Sequence, residues 1–189
     1  MEFVVYGSFN CPYSFLASLR ADGLVAAGYA SLDWRAVVHD PDVPAGGVAV
    51  GGELAEMFDR ELGEIRALLA PDERYPARRP SVQSNTTQAV AGYAVAPNDH
   101  KPRLRSEIFS AFWVDGDDIG ERALLDSLGC PAAPAGETMR RWNAEWRGMA
   151  RPVVPMMVLP GGQVSRGLGA LSRLAEMDRA ASAGKRHGS

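Results

Sequence analysis

The tetrapeptide Cys11-Pro12-Tyr13-Ser14 contains the residue types best suited to chemistry in this sequence. It follows a short apolar run and precedes residues at helical spacing, so Cys11 is predicted to lie at a helix N-terminus. Unpaired backbone N–H groups and the positive end of the helix dipole stabilise a thiolate there, and the pKa of Cys11 is expected to fall below its free value of about 8.5. Ser14 is placed to add a hydrogen bond to the sulfur. This C-x-x-S pattern predicts a thiol for exchange or addition, and the alternative is a small buried hydrophobe.

The elements that position this motif form a β–α–β unit. The run Phe3 to Tyr6 is apolar throughout and predicts a strand buried on both faces. Pro12 suits the first turn of the following helix, and Gly28 is expected to end it. Alternation over residues 32–38 predicts a second strand, parallel to the first with a right-handed crossover.

The middle of the chain, about one hundred residues, is predicted to be helical apart from loops. Residues 39–52 and 71–80 are rich in Pro, Gly and Asp and are therefore expected to be loops. The acidic residues of the helix between them are predicted to form a solvated face, and another helix is expected to continue through Trp113. The expected N-caps of two later helices are Ser84 or Asn85 and Asp117 or Asp118.

The pattern returns to strands near the end of the chain. Residues 156–159 predict a strand, and Pro160-Gly161-Gly162 predicts a turn into a return strand from Gln163, which makes a hairpin. A closing helix is expected from Leu168 to Met177, and residues 180–189 are expected to fray. The predicted order is β–α–β, a helical block, then β–β–α.

Composition and charge exclude several classes of protein. The chain has 189 residues, which fits one compact domain, and 46% are hydrophobic. A net charge of −3 argues against nucleic-acid binding, and no apolar run approaches the roughly 20 residues that span a membrane. The start of the sequence is not a signal peptide, so a cytoplasmic protein is expected. Two cysteines and three separated histidines argue against a disulfide framework and a zinc site, and no residue pattern indicates a metal, flavin or nucleotide cofactor.

The motif and the order of elements together resemble a known family. The segments that carry the resemblance are Phe9-Asn10-Cys11-Pro12-Tyr13-Ser14-Phe15-Leu16, Ser84-Asn85 and Val154-Pro155. They are similar to the DsbA-like branch of the thioredoxin superfamily, which includes disulfide oxidoreductases, kappa-class glutathione transferases and 2-hydroxychromene-2-carboxylate isomerases. The resemblance implies an α/β, thioredoxin-like fold. Its thioredoxin-like domain would comprise residues 1–50 and 151–189, with an all-helical insertion, residues 51–150, between the β–α–β and β–β–α halves.

The resemblance also implies roles for residues around Cys11. Pro155 would follow a cis peptide bond beside the sulfur, and Val154 would offer backbone groups to an extended peptide or thiol. Pro12 and Tyr13 would contact the substrate. Asn85 would face the cleft, although a helix cap alone explains that residue.

Two departures from the family pattern affect the predicted activity. Disulfide oxidoreductases carry a second cysteine where this chain has Ser14, so a mixed disulfide on Cys11 lacks a local resolving thiol. The kappa transferases and chromene isomerases typically carry serine at the position of Cys11. They also hold the γ-glutamyl end of glutathione with a Ser-Asp pair, whereas residues 166–169 here include no acidic residue.

Three functional hypotheses follow. The first is a thiol-dependent oxidoreductase that works with one cysteine, Cys11, on disulfides or small thiols, with no tightly bound cofactor. The second is an isomerase or transferase that uses a low-molecular-weight thiol to attack a small aromatic or electrophilic compound, with Cys11 or Ser14 hydrogen-bonded to the cofactor's sulfur. The third is a non-catalytic module that grips an extended peptide beside Val154 and Pro155. The resemblance also allows a homodimer.

Other residues have weaker functional signals. Cys130 would resolve a disulfide on Cys11 only if the two Cα atoms came within about 7 Å, and a packed thiol is the favoured interpretation. His39 is a candidate proton shuttle, with a structural role favoured. Arg140, Arg141 and Arg147 are candidates for holding an anionic substrate, with a solvated helix face favoured.

Overall fold

A four-stranded mixed sheet with helices packed around it forms the centre of the protein. The computed structural model describes residues 2–28 and 31–177. The strands of this sheet are β1 Glu2–Gly7, β2 Ser31–Ala36, β5 Met156–Val158 and β6 Val164–Arg166. They lie in the order β2-β1-β5-β6. This arrangement of an α/β sheet confirms the predicted fold class.

The β–α–β unit has the predicted topology. Strand β1 pairs with β2 in parallel, with Val5 opposite Trp34. Helix α1, Pro12–Ala26, connects them, and Gly28 follows it with a left-handed φ of 77°. Residues Phe3 to Tyr6 of β1 are apolar because the central position of this strand in the sheet buries both of its faces.

The predicted hairpin closes the other side of the sheet. Strands β5 and β6 are antiparallel, and β5 is also antiparallel to β1. Gly161 and Gly162 both adopt positive φ in the turn, which only glycine does without strain. A closing helix begins at residue 169 and continues to 177, the end of the described region. The predicted frayed end, residues 180–189, lies outside the described residues.

The segment between the two halves of the sheet is mostly helical. Its α-helices are α2 Gly52–Ala67, α3 Thr87–Val95, α4 Lys101–Ser110, α5 Arg122–Ser127 and α6 Glu137–Arg147. Their apolar faces join the sheet in one continuous core. Within the described ranges, no helix has the length and apolar character that crossing a membrane requires.

The structure contains two short strands, within or next to the two predicted loops, that the sequence pattern did not indicate. Strand β3, Val48–Ala49, lies within the predicted loop 39–52 and pairs antiparallel with β4, Val82–Gln83, just after the predicted loop 71–80. Each strand is only two residues long, too short for a recognisable alternation. Their pairing anchors the loop that follows β2 to the segment that leads into α3.

The predicted helix through Trp113 ends early as an α-helix. Helix α4 stops at Ser110, and a π-helical turn, Ala111–Asp115, follows it up to Gly116, which is left-handed. The wider turn still places Trp113 fully inside the core.

Of the two predicted helix caps, the cap of α5 is wrong, and the cap of α3 is shifted by one residue. The cap of α5 is Glu121 rather than Asp117 or Asp118, and the Asp118 carboxylate instead accepts a hydrogen bond from the Gly120 N–H. The residue at the cap position of α3 is Thr86, but the side-chain oxygen of Asn85 accepts the hydrogen bond from the Thr87 N–H.

Candidate active site

Cys11 occupies the N-cap position of α1. Its backbone is extended (φ −105°, ψ 119°), and Pro12 begins the helix. The Cys11 carbonyl accepts the first helical hydrogen bond, from the Phe15 N–H at 3.1 Å, and the Cys11 N–H donates to Ser8 at 3.2 Å. The residue is half-buried at the end of β1, where the sequence predicted it.

The segment before β5 lies directly against this cysteine. The Val154–Pro155 peptide bond is cis, and the Cys11 Sγ lies 3.5 Å from the Val154 carbonyl oxygen. Cys11 and Val154 are 143 residues apart in sequence. At this distance the thiol donates its S–H to the carbonyl, which is an acceptor only.

The Cys11 thiol is harder to ionise than the sequence suggested. Burial of the sulfur raises its pKa to about 11, although the Ser14 hydroxyl and the backbone N–H groups of Ser14 and Tyr13 lower it, and the Glu61 carboxylate raises it further. The prediction of a lowered pKa is therefore wrong. The helix terminus supplies the expected donors, but removal of water from the sulfur outweighs them.

Ser14 is held beneath the motif by the preceding loop. Its side chain is fully buried, and its Oγ accepts a hydrogen bond from the Ser8 N–H at 3.2 Å. The Ser8 hydroxyl donates to the Asn10 side-chain oxygen at 2.6 Å. Ser14 thus supports the loop and hydrogen-bonds the cysteine sulfur.

A polar chain leads from the motif to the end of β2. The Asn10 amide donates to Asp40 at 3.2 Å, and Asp40 lies 3.0 Å from Nδ1 of His39. The hydrogen bond with Asp40 raises the pKa of His39, and the same bond lowers the pKa of Asp40. The structure gives His39 no direct contact with Cys11, so a proton-shuttle role stays a prediction.

Helix α2 contributes residues that the sequence analysis missed. Tyr13 donates its hydroxyl hydrogen to Glu64 at 2.5 Å, and Glu61 is close enough to act electrostatically on Cys11 and His39. A missed residue beyond the end of α2 is buried Tyr75, whose hydroxyl donates to the Pro12 carbonyl at 2.8 Å. The acidic face of α2 was predicted to be solvated. No sequence signal marked the contact with Tyr13, because the i, i+3 spacing of Glu61 and Glu64 recurs at Glu53 and Glu56 on the same helix.

Aromatic side chains of the helical block enclose the loop before Cys11. The indole N–H of Trp113 donates to the Phe9 carbonyl at 2.9 Å, and both side chains are fully buried. The Phe9 ring also packs edge-on against Tyr93 and Phe109. The position of the motif therefore depends on residues far along the chain.

Asn85 connects two segments of backbone. Its side-chain amide donates to the Val43 carbonyl, and its side-chain oxygen accepts from the Thr87 N–H at 2.9 Å. It thus satisfies one of the free N–H groups of the first turn of α3, and these contacts do not include Cys11. Ser84 is fully buried, with no hydrogen-bond partner for its hydroxyl within the described residues.

Cys130 lies apart from the motif. It is buried, and its Sγ lies 3.9 Å from the Ala89 carbonyl on α3, against Gly92. This packing fits the structural interpretation. Over the described ranges, no three metal-ligating side chains form a cluster.

Comparison with known families identifies the group to which this fold and motif belong. The sequence profile of the DSBA-like thioredoxin domain matches residues 2–140. The chain belongs to this family. The matched region covers the motif and most of the helical block and stops before the cis Val154–Pro155 peptide bond. No curated protein sequence matches the chain significantly.

Solved structures extend the likeness over the whole fold. A 2-hydroxychromene-2-carboxylate isomerase superposes with a TM-score of 0.64 at 18% identity, covering 100% of this chain and 98% of that one. A probable DsbA oxidoreductase from Streptomyces coelicolor gives 0.71 at 16% identity, covering 95% and 90%. The cytosolic disulfide reductase DsbM from Pseudomonas aeruginosa, solved with GSH, gives 0.67 at 17% identity, covering 98% and 100%. The DSBA-like fold thus continues through the β-hairpin, in proteins named as oxidoreductases or as an isomerase.

Proposed function

We propose that this DSBA-like protein is an enzyme that binds a low-molecular-weight thiol at the N-terminus of α1 and uses it to attack a small electrophilic or aromatic compound. The observation that carries the proposal is the contact of the Cys11 sulfur with the Val154 carbonyl oxygen at 3.5 Å, in which Cys11 is the hydrogen-bond donor. Burial of the sulfur, which raises the pKa of Cys11, favours the same protonated thiol over a thiolate.

The donors around Cys11 suit the sulfur of a bound thiol. The backbone N–H groups of Tyr13 and Ser14 and the Ser14 hydroxyl converge on this point, and the dipole of α1 favours a negative charge there. A thiolate docked beside Cys11 would accept the S–H that now points to Val154. The bound thiol would then lose its proton more readily than the desolvated cysteine does.

The chemical step uses the bound thiolate as nucleophile. Its sulfur forms a C–S bond at an electrophilic carbon, and the electron pair of the attacked π-bond moves onto the acceptor atom. In an isomerisation the C–S bond breaks again after rotation, which releases the thiolate and the isomer. In a transfer the C–S bond is kept, and either a proton is taken up or a leaving group departs with its electron pair.

The thiol is not expected to bind as glutathione does in the related transferases. The stretch after β5 supplies Arg166, whose guanidinium donates to the Arg151 carbonyl at 3.2 Å, and Ser165, whose hydroxyl accepts from the Ala170 N–H at 3.0 Å. Residues 166–169 include no carboxylate to pair with a γ-glutamyl ammonium group. A thiol without that group is therefore favoured.

Disulfide exchange by Cys11 itself is the second candidate, favoured by the partial exposure of Cys11. In that reaction the Cys11 thiolate attacks a disulfide RSSR′, which forms Cys11–S–SR and releases R′S⁻. A second small thiol then attacks the Cys11 mixed disulfide and releases a new small disulfide and the Cys11 thiolate. This small thiol replaces the resolving cysteine that Ser14 does not provide.

Two variants of one residue separate the candidates. Cys11→Ser keeps a donor at the N-cap, whereas Cys11→Ala removes it, and Cys130→Ala is the control for the other cysteine. The assays are thiol addition to 1-chloro-2,4-dinitrobenzene, which releases chloride, and thiol exchange with bis(2-hydroxyethyl) disulfide, each with glutathione, cysteine and coenzyme A in turn.

Thiol addition that survives in Cys11→Ser and falls at least tenfold in Cys11→Ala supports the first candidate. Exchange activity that both variants abolish supports the second. If no thiol stabilises the protein in a thermal shift assay and neither activity is measurable, both candidates fall. Stabilisation by an extended peptide would then favour the non-catalytic module.

A further inference from the structure

A cavity of about 300 Å³ lies between the end of β2 and helix α6. Val38, Pro41 and Met139 provide apolar walls. The Asn143 amide fixes one side, because it accepts from the Val38 N–H at 3.0 Å and donates to the Met139 carbonyl at 2.9 Å. The volume is at the lower end of the range for small-molecule sites, about 300–1,000 Å³.

Two arginines bring positive charge to this apolar cavity. Arg140 and Arg147 line it from one face of α6, and seven residues of helix place their Cα atoms about 10 Å apart. In the part of the chain that the structure describes, neither guanidinium forms an ion pair. Arg140 donates to the Ala135 carbonyl, and Glu145 on the same helix pairs with Arg35 at 2.6 Å. Among the described residues, no carboxylate therefore lies within ion-pair distance of either exposed guanidinium.

The helix that forms the cavity wall is bonded to the active-site segment. The indole N–H of Trp146, next to Arg147, donates to the Val153 carbonyl at 2.9 Å. The adjacent carbonyl, that of Val154, contacts the Cys11 sulfur. The Trp146 ring also packs against His39, at 5.9 Å between centroids. Helix α6 thus lines the cavity with some of its residues and, through Trp146, hydrogen-bonds the segment that contacts Cys11.

We propose that this cavity binds a small organic anion with an apolar body, and that Arg140 and Arg147 hold its acidic group. A guanidinium binds a planar oxyanion through paired charge-assisted hydrogen bonds, and the apolar walls would cover the rest of the ligand. The assignment of this anion as the enzyme's substrate rests on the proposed function. The binding of the anion does not, because it requires neither Cys11 nor a thiol.

The test compares a charged ligand with a neutral one of the same shape. Isothermal titration calorimetry measures binding of 2-naphthoate and 2-naphthamide to the wild-type protein, to Arg140→Gln and Arg147→Gln, and to the double variant. Arg141→Gln is the matched control, because Arg141 lies on the same helix, is exposed, and faces Glu145 at 3.8 Å instead of the cavity. Thermal unfolding checks that every variant is folded.

We expect naphthoate to bind at least about tenfold more tightly than naphthamide, and each cavity variant to lose about tenfold or more of the naphthoate affinity. Arg141→Gln should change that affinity less than about twofold. Equal binding of the two ligands, no binding of naphthoate, or an equal loss in Arg141→Gln would overturn the proposal. Naphthoate binding without any thiol-dependent turnover would leave the anion site standing and remove the proposed function.

Discussion

Cys11 should exchange with a disulfide reagent much more slowly than a free cysteine at neutral pH, because its sulfur is desolvated. The burial that raises its pKa to about 11 exceeds the effect of the Ser14 hydroxyl and the N–H groups of α1. The thiolate is the reacting species, so the rate follows the thiolate fraction until the pH reaches the pKa.

The expected magnitude follows from this pKa. At about pH 8 a thiol with a pKa near 11 is about 0.1% thiolate, whereas one near 8.5 is about 24% thiolate, a ratio of about 240. A more basic thiolate is also more nucleophilic, and with a Brønsted coefficient of 0.4–0.5 the difference of about 2.5 pKa units returns a factor of about 10–18. Cys11 should therefore react about 13–24-fold more slowly than free cysteine, before any steric effect of burial.

The assay is stopped-flow exchange with the neutral disulfide 4,4′-dithiodipyridine, followed across the range of about pH 6–10. The rate of Cys11 exchange should rise about tenfold for each pH unit through the whole range. The Cys11→Ser variant reports any reaction of Cys130, which is 2% exposed. A plateau below about pH 9 would refute the reasoning and return Cys11 to the role of an activated nucleophile.

Two further predictions concern the support of the site. Gly7→Ala should lower the free energy of unfolding by about 1–3 kcal/mol in urea denaturation, because the new Cβ would lie 2.2 Å from Cζ2 of Trp34. His39→Gln should destabilise the protein more at about pH 5.5 than at about pH 8.5, measured by thermal unfolding. The hydrogen bond to Asp40 raises the pKa of His39, so its stabilisation is complete below the unfolded pKa and is lost as the pH rises through the folded one.

Matched variants test these two explanations. Gly63→Ala on α2 meets no atom within 4 Å and should be neutral or stabilising, which isolates the steric effect at Gly7. His100→Gln replaces a histidine with a largely exposed ring and should change the free energy of unfolding by less than about 0.5 kcal/mol. A similar loss of stability in a test variant and its matched control would contradict the explanation that this pair tests.

The features that were predictable from sequence are those set by local patterns. The apolar run of β1, the proline at the start of α1 and the glycines that end helices each have a direct local cause, and together they placed Cys11 correctly. The pairing of Val48–Ala49 with Val82–Gln83 had no such signal, since it joins two short segments across more than thirty residues.

The electrostatics of the site were less predictable because they also depend on contacts between segments that are distant in sequence. The helix N-terminus can be inferred from sequence, but the desolvation of Cys11 depends on the segments that pack over the sulfur. The contact with Val154 joins residues 143 positions apart. The involvement of Glu61 likewise depends on how α2 lies across the motif.

The hydrogen bond from Trp113 to the Phe9 carbonyl has a consequence for how this protein can evolve. Deletion or exchange of the helical block would expose the Phe9 carbonyl and ring that its aromatic residues now cover. The strands and the block should therefore unfold in one cooperative transition. A recombination event that supplied this fold with a different helical block would have to provide an N–H donor for the Phe9 carbonyl. It would also have to provide an aromatic pocket for the Phe9 ring. Variation among descendants should accordingly accumulate at the rim of the block, in exposed segments, before it reaches this contact.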